Sequence, residues 1–285
     1  MNAKLLMIQG TSSGAGKSTL VTAFCRVFSD MGYKVFPFKA QNMTSNFYPI
    51  LNSKRVAVVQ AIQAFACGRE PDTRMNPILL EPIGEYRSNI FLDGILLGQM
   101  TAEEYYRDFV LKEGYHKVLK SLETLRQEND IIVIEGAGSP AEINIAEFDI
   151  ANMVLAEKVC APVILTADIE RGGCFASIVG TMQLLKPHHQ ELVKGIIINK
   201  FRGDKKLLLN AINSVEQITK KEVLGVIPMI KFALPPEDSL DDVKDYPLFE
   251  MRESLDEQVN NLAAGLMENV DVKGIVSRLL KIELN

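Results

Sequence analysis

A glycine-rich run near the N-terminus carries the clearest chemistry in the sequence. It reads Gly10-Thr11-Ser-Ser-Gly14-Ala15-Gly16-Lys17-Ser18-Thr19 and lies between an apolar run and an amphipathic segment. Small residues let successive backbone N–H groups close around phosphate oxygens, and the following helix adds the positive end of its dipole. Lys17 would reach the β- and γ-phosphates, and the Ser18 hydroxyl is the expected Mg²⁺ ligand. The run predicts a P-loop, although Thr11 stands where G-x-x-x-x-G-K-[ST] has its first glycine.

Two apolar runs further along the chain end in polar side chains. Residues 131–134 lead into Glu135, and residues 195–198 lead into Asn199. An acid at the tip of a neighbouring strand can hold Mg²⁺ opposite Ser18, and Asn199 has the donor and the acceptor needed to read an adenine edge. A capping glutamate and a turn-forming asparagine without ligands are the alternatives.

The elements that must position these groups follow from hydrophobic patterning. Continuous apolar runs, typical of strands covered on both faces, lie at residues 5–9, 34–38, 130–135, 162–168, 194–199 and 222–227. Amphipathic segments of helical length lie at 18–31, 101–128, 175–185 and 205–219. The alternation predicts an α/β fold with a mainly parallel sheet and helices on both faces, so the functional loops gather at the carboxyl edge of the strands.

Residues 45–97 are less regular, with a helix predicted around 55–67 and short strands at 77–80 and 89–92. We interpret this stretch as an insertion that shapes a substrate site. Prolines and acids interrupt the pattern at 232–247, and two terminal helices are predicted at 254–268 and 272–282. Since no repeat or low-complexity tract is present, we predict one domain over residues 1–285.

Composition narrows the class of protein. The 285 residues carry 36 acidic and 31 basic side chains, a formal charge of −5, and no dense basic stripe, which argues against nucleic-acid binding. No apolar run is long enough to span a membrane, and no signal peptide is recognised. The four cysteines have no C-x-x-C spacing and indicate reduced thiols of a cytoplasmic protein.

The chain resembles the cobyric acid synthase family, specifically its ATP-dependent synthetase domain, which has a P-loop fold like that of dethiobiotin synthetase. The resemblance rests on eight ordered runs, at residues 7–11, 37–43, 75–80, 135–144, 149–153, 167–173, 199–204 and 234–240. It implies a ligase that uses ATP and Mg²⁺ to activate carboxylates of a corrinoid substrate as acyl phosphates, which ammonia converts to amides.

The resemblance also implies roles for individual residues. Lys17 and Lys39 would face the γ-phosphate and the developing charge, and Ser18 with Glu135 would bind Mg²⁺. Asp168 would take part in catalysis on the acceptor side, where Asn42, Glu142, Asn144 and Arg171 would bind substrate. The expected ATP-binding residues are Gly10, Thr11, Gly14, Ala15, Gly16, Lys17, Ser18, Thr19, Asn199 and Arg202.

Two departures from the family pattern stand out. Family members usually continue into a glutamine amidotransferase domain, but His116, His188 and His189 lie outside any cysteine nucleophile motif. We therefore expect ammonia from a separate glutamine amidotransferase subunit or from solution, or else a larger polypeptide of which these residues are one piece. Arg55 also replaces a family acid, Val58 a family arginine, and Glu81 a family lysine, which predicts changed charges on the acceptor side.

Two other functions remain open at this stage. One is an ATP-dependent ligase of the same fold with a different carboxylate or amine acceptor, as in dethiobiotin synthetase. The other is a non-catalytic ATP-switched binding protein. Family analogy also predicts a homodimer with the acceptor site near its interface.

Overall fold

The computed structural model describes residues 2–232 and 252–283 of the chain. Its strands are β1 (Lys4–Gly10), β2 (Val35–Phe38), β3 (Gln41–Met43), β4 (Phe47–Ile50), β5 (Lys54–Ala57), β6 (Ile78–Gly84), β7 (Arg87–Leu92), β8 (Ile95–Thr101), β9 (Ile131–Glu135), β10 (Val163–Asp168), β11 (Val193–Phe201) and β12 (Val223–Pro228). Its helices are α1 (Lys17–Asp30), α2 (Val58–Ala66), α3 (Ala102–Glu104), α4 (Tyr115–Glu128), α5 (Met153–Val159), α6 (Cys174–Leu184), α7 (Pro187–Leu192), α8 (Leu209–Thr219), α9 (Arg252–Asn269) and α10 (Val272–Gly274).

The central sheet contains the six strands that the sequence predicts. Their order is β12-β11-β10-β1-β9-β2, and every neighbouring pair is parallel. The inner strands are buried along almost their whole length because helices cover both faces, which is why their sequences are continuously apolar. The α/β prediction is confirmed.

Strand register decides which side chains meet at the carboxyl edge of this sheet. Ile8 pairs with Glu135, Gly10 with Thr166, and Asp168 with Asn199. The loop after β1 therefore lies between the ends of β9 and β10. This arrangement brings the glycine-rich run beside the two polar strand ends that the sequence indicates.

The four long predicted helices are present with small changes. The segment predicted at 101–128 is α3, a π-helical stretch Tyr105–Gly114, and α4. The segment predicted at 205–219 begins with the 3-10 turn Lys205–Leu208 and continues as α8. The short helices α5 and α7 were not predicted.

The insertion is more regular than its sequence indicates. It contains a four-stranded sheet, β3-β6-β7-β8, and the hairpin β4-β5. The helix predicted at 55–67 is wrong at its start, because Lys54–Ala57 pairs with Phe47–Ile50 and the helix begins at Val58. Cross-strand pairing therefore prevails over local helix propensity at Arg55, Val56 and Ala57.

The terminal helix α9 packs along α1. Its buried side chains Leu255, Val259, Leu262 and Leu266 recur at three- and four-residue intervals on one face. The second terminal helix is shorter than predicted, being α10 followed by the π-helical stretch Ile275–Leu279. The predicted break at 232–247 and the family run at 234–240 lie almost wholly outside the described residues.

One large hydrophobic cluster joins the central strands to α2, α9 and the inner face of the insertion sheet. The prediction of one domain over residues 1–285 stays a prediction. Within the described ranges, every helix is too short or too polar to cross a bilayer.

Candidate functional site

The glycine-rich loop follows β1 and leads into α1. Gly14 and Gly16 have φ values of 73° and 96°, a region that other residues rarely adopt. A Cβ atom at Gly16 would also lie 2.0 Å from Asn199 Nδ2, and one at Gly10 would lie 3.1 Å from Lys17 Cγ. Gly10, which stands one position before the usual first glycine of the motif, therefore leaves room for the Lys17 side chain at the end of β1.

Lys17 connects the ends of two central strands. Its side chain is buried, and its ammonium donates to the carbonyl oxygens of Gly138, at 3.0 Å, and Ser12, at 3.3 Å. Gly138 lies in the loop after β9, so the cation is held between that loop and the glycine-rich loop. This is where an anionic oxygen on the loop would be neutralised.

Glu135 is the centre of the site. Its carboxylate is fully buried at the end of β9, and Oε1 accepts hydrogen bonds from Ser18 Oγ and Lys39 Nζ, each at 2.9 Å. Oε2 accepts a hydrogen bond from Gln63 Nε2. Strands β9 and β2 and helices α1 and α2 thus supply one polar cluster in an otherwise apolar interior, where charges require close partners.

The oxygen atoms at this cluster are of the kind that binds Mg²⁺. The Ser18 hydroxyl and the Glu135 carboxylate are hard oxygen ligands that lie 2.9 Å apart beside the phosphate loop. Mg²⁺ binds through one or two such groups together with phosphate oxygens. The residues present therefore fit the predicted metal.

Asn199 contacts the phosphate loop directly, and Asp168 is connected to it through Lys200. Asn199 Nδ2 donates to the carbonyl of Ala15 at 3.1 Å. Lys200, which the sequence analysis missed, donates to Asp168 Oδ2 at 2.8 Å and to the carbonyl of Gly14. Lys200 adopts a left-handed φ of 61°, which turns its side chain back toward the loop. Its position in the family run Asn199-Lys-Phe-Arg-Gly-Asp204 could have identified Lys200 from the sequence.

A cavity of about 230 Å³ opens beside this edge of the loop. Its lining is mostly apolar and includes Ile227, Met229 and Phe232, with Thr19 and Asn199 at its polar side. Asn199 borders this cavity, and its amide oxygen also accepts a hydrogen bond from the backbone N–H of Lys200 at 2.9 Å. Its role in reading an adenine edge stays a prediction.

Arg202 and Arg171 lie on the surface of the neighbouring loops. Arg202 Nε pairs with Glu170 Oε1 at 3.0 Å, and 65% of the Arg202 side chain is exposed. Arg171 is also exposed, directly before Gly172 and Gly173. The structure does not bring either guanidinium into the Glu135 cluster, and their ATP-binding and substrate-binding roles stay predictions.

A cavity of about 170 Å³ lies on the other side of the Gly138 loop. Gln41, Tyr106, Glu142 and Asp149 are among its lining residues. Burial raises the pKa of Asp149 to about 6, although hydrogen bonds from Asn152 and from the Ala151 backbone favour its charged form. Asp149 and Tyr106 were not predicted, but Asp149 begins the family run at 149–153.

A larger cavity of about 680 Å³ adjoins it, between the insertion sheet and the stretch that follows β8. Leu80, Ile90, Met100 and Tyr105 give it a mainly apolar wall. Tyr106 lines both cavities. The insertion thus lines part of a cavity, and its role in shaping a substrate site stays a prediction.

The other predicted acceptor residues differ in exposure. Asn144 is exposed in the same turn as Glu142. Asn42 is instead buried, and its Nδ2 donates to Gln60 Oε1 at 3.0 Å. Its side chain therefore points into the protein, whereas its neighbours Gln41 and Met43 line the two cavities.

Comparison with known proteins shows to which family the chain belongs. The model of the CobQ/CobB/MinD/ParA nucleotide-binding domain matches residues 6–237. The chain belongs to this family. A probable cobyric acid synthase from Thermococcus kodakarensis is 50% identical over 240 residues, which are 83% of this chain and 49% of that protein. A cobyric acid synthase from Dehalococcoides mccartyi is 49% identical over 245 residues, which are 85% of this chain and 48% of that protein.

The chain thus spans about half the length of these curated relatives. Among solved structures, the cell division ATPase MinD of Pyrococcus furiosus is similar with a TM-score of 0.45 at 16% identity, covering 92% of this chain and all of that one. The part matched by the CobQ/CobB/MinD/ParA domain contains the phosphate loop, Lys39, Glu135 and Asn199.

Two of the three residues that depart from the family pattern, Arg55 and Glu81, lie close together. Arg55 Nη1 lies 3.9 Å from Glu81 Oε1, so the two side chains form an ion pair whose polarity is opposite to the one that the resemblance implies. The Arg55 guanidinium also lies over the rings of Phe47 and Phe91, at 4.9 and 4.6 Å. Because Leu80 and Pro82 line the larger cavity, strand alternation puts Glu81 on the opposite face.

Proposed function

We propose that this chain is the synthetase part of an ATP-dependent amidoligase of the cobyric acid synthase type, acting on side-chain carboxylates of a corrinoid. The observation that carries the proposal is the meeting of Ser18, Lys39 and Glu135 at the phosphate loop, beside two adjoining cavities. The names of the curated relatives supply the substrate class.

The proposed reaction proceeds through an acyl phosphate. A carboxylate is a poor acyl donor, so one of its oxygens attacks the γ-phosphorus of ATP and ADP leaves. Ammonia then attacks the carbonyl carbon, and the bond from that carbon to the phosphorylated oxygen breaks, which releases phosphate. The two reacting anions must be held together against their repulsion, and the ammonium groups of Lys17 and Lys39 lie where they would reduce it.

Ser18 and Glu135 would hold Mg²⁺, which when bound neutralises charge on the transferring phosphate. Lys39 shares the Glu135 oxygen that faces Ser18. The ammonium is therefore oriented toward the Ser18 side of the cluster. The adenine would occupy the cavity beside Asn199, where apolar side chains can cover its faces and the amide can meet its edge.

The acceptor would occupy the two cavities of the insertion side. The larger, apolar cavity suits the face of a macrocycle, and the smaller cavity would receive the reacting carboxylate and the nitrogen. Asp149, with its pKa near 6, would accept the proton that the attacking nitrogen loses at neutral pH. The ion pair of Asp168 with Lys200 supports a role in holding the loop at Gly14.

Ammonia would come from a glutamine amidotransferase subunit or domain. We also propose that the chain forms a homodimer, and this part of the proposal rests on family analogy alone.

The proposal is tested by ADP release from purified protein with Mg²⁺, ATP and ammonium, with and without cobyrinic acid a,c-diamide. We expect ADP release to depend on the corrinoid, and the product to gain amides one at a time by mass. ATP binding without corrinoid-dependent turnover would contradict the acceptor assignment and leave the nucleotide site intact.

A further inference from the structure

The two oxygens of the Glu135 carboxylate have different surroundings. Oε1 faces the Ser18 hydroxyl and the Lys39 ammonium, and Oε2 accepts from the side-chain amide of Gln63. Gln63 is fully buried on α2. Its hydrogen bond therefore opposes rotation of the carboxylate away from the phosphate loop.

The amide of Gln63 is itself oriented by two further amides. Gln63 Oε1 accepts from Gln60 Nε2 at 3.5 Å, and Gln60 Oε1 accepts from Asn42 Nδ2 at 3.0 Å. Gln60 is fully buried and Asn42 is 3% exposed. Residues 60 and 63 are three apart, so α2 presents both amides on one face.

The charge of Glu135 fixes the direction of this chain of amides. A carboxylate only accepts hydrogen bonds, so Gln63 must turn its N–H₂ group toward it. Gln63 then offers oxygen to Gln60, and Gln60 offers oxygen to Asn42. All three amides consequently share one orientation, and removal of Gln60 would take away the donor that faces Gln63 Oε1.

We propose that Gln63 is a positioning residue for Glu135, and that Gln60 and Asn42 hold Gln63 in the required orientation. The inference rests on the proposed function, in which Glu135 binds Mg²⁺. It gives Asn42 a different role from the substrate contact that its motif predicts. Outer hydrogen-bond partners of metal ligands typically change metal affinity about 10- to 100-fold when removed.

The experiment measures binding of a non-hydrolysable ATP analogue by calorimetry over a range of Mg²⁺ concentrations, without corrinoid or ammonium. Gln63→Met keeps the side-chain length but removes the donor to Glu135. We expect it to raise the Mg²⁺ concentration for half-maximal binding about 10-fold. Binding in excess EDTA should stay within about twofold of the wild-type value, because the phosphate loop is unchanged.

Gln60→Met is the second variant, since it does not touch Glu135 and tests the orientation chain even if Gln63→Met folds poorly. We expect a smaller shift in the same direction, about threefold, and no further shift when it is added to Gln63→Met, because the two residues act in series. Gln190→Met, in a partly buried glutamine that bonds the Leu185 carbonyl, is the matched control and should leave both values unchanged.

A wild-type Mg²⁺ dependence in both variants would overturn the proposal, as would equal losses with Mg²⁺ and in EDTA. Additive shifts in the double variant would overturn the orientation role of Gln60. If the wild-type protein binds nucleotide without regard to Mg²⁺, the metal assignment itself fails and this inference fails with it. Absence of corrinoid turnover in the earlier assay would leave the inference standing.

Discussion

At the residue scale, Glu135 and Lys39 form a buried ion pair, which is costly to place in an apolar interior. The Lys39 ammonium is 3% exposed and the carboxylate 0% exposed. Burying a single charge in this way is strongly unfavourable unless its partner is present. The pair is therefore better explained by the chemistry at the phosphate loop than by stability.

Glu135→Gln removes the negative charge beside the Lys39 ammonium. We expect it to lower the free energy of unfolding by about 3 kcal/mol, because breaking a buried pair leaves a poorly compensated charge. Adding Lys39→Met should recover most of this stability but restore neither Mg²⁺-dependent nucleotide binding nor turnover. Chemical denaturation measures the first effect. The account would be contradicted if Glu135→Gln were as stable as wild type. It would also be contradicted if the double variant lost as much free energy of unfolding as the two single variants added together.

Asp149 makes a prediction about pH. Its folded-state pKa, about 6, lies above the ordinary aspartate value of 3.8, so the native state binds more protons than the unfolded state between these values. The contribution of Asp149 to the free energy of unfolding therefore falls as the pH rises from 4 to 6, by up to about 3 kcal/mol. It is smallest above pH 6.

Asp149→Asn should consequently flatten this part of the stability curve and raise stability at pH 7 relative to wild type. Thermal and urea unfolding from pH 4 to pH 8 compare the two proteins. The same slope in both would show that Asp149 titrates normally. The substitution should also lower turnover at neutral pH if Asp149 accepts the proton from the nitrogen.

At the element scale, sequence patterning predicted the parts of the fold that have a uniform environment. The six central strands are buried on both faces, so their continuous apolar runs identify them directly. The phosphate loop, Glu135 and Asn199 were identified because each comes directly after a continuous apolar run. The roles of Arg202, Arg171 and Asn144 depend on loop contacts that strand patterning does not encode.

The insertion was less predictable because its strands are only partly buried and so lack the continuous apolar runs of the central sheet. Strand β3 has three residues and pairs with β6, more than 30 positions later. Arg55 was assigned to a helix since only its contacts with β4 and with Phe91 reveal a strand. One signal was available: Asp93-Gly94 forms the two-residue turn between β7 and β8, with φ values of 48° and 75°.

The reversed pair of Arg55 and Glu81 makes the next prediction. The double variant Arg55→Glu with Glu81→Lys restores the usual family polarity. We expect it to lose about 1 kcal/mol of stability, because a glutamate cannot stack on Phe47 and Phe91, and to leave the KM for the corrinoid unchanged. Urea denaturation and initial rates measure both. A lower KM would show instead that these positions contact the acceptor.

At the scale of the whole molecule, parallel topology explains why residues from distant parts of the sequence form one site. Lys17, Lys39, Glu135 and Lys200 each follow the end of a parallel strand or lie at one, so the fold gathers them at one sheet edge. The insertion contributes to the wall of the larger cavity, and the loop after β9 lines the smaller one. Under the proposed function, phosphate activation and acceptor binding would take place on one chain.

The central claim is that a carboxylate of the acceptor is activated as an acyl phosphate at this site. It is tested most directly with cobyrinic acid a,c-diamide whose carboxylates carry ¹⁸O, incubated with the protein, Mg²⁺, ATP and ammonium. We predict that each amide formed is matched by one phosphate that contains one ¹⁸O atom, because the phosphorylated oxygen leaves with the phosphate. Amide formation with ¹⁸O-free phosphate would contradict the account.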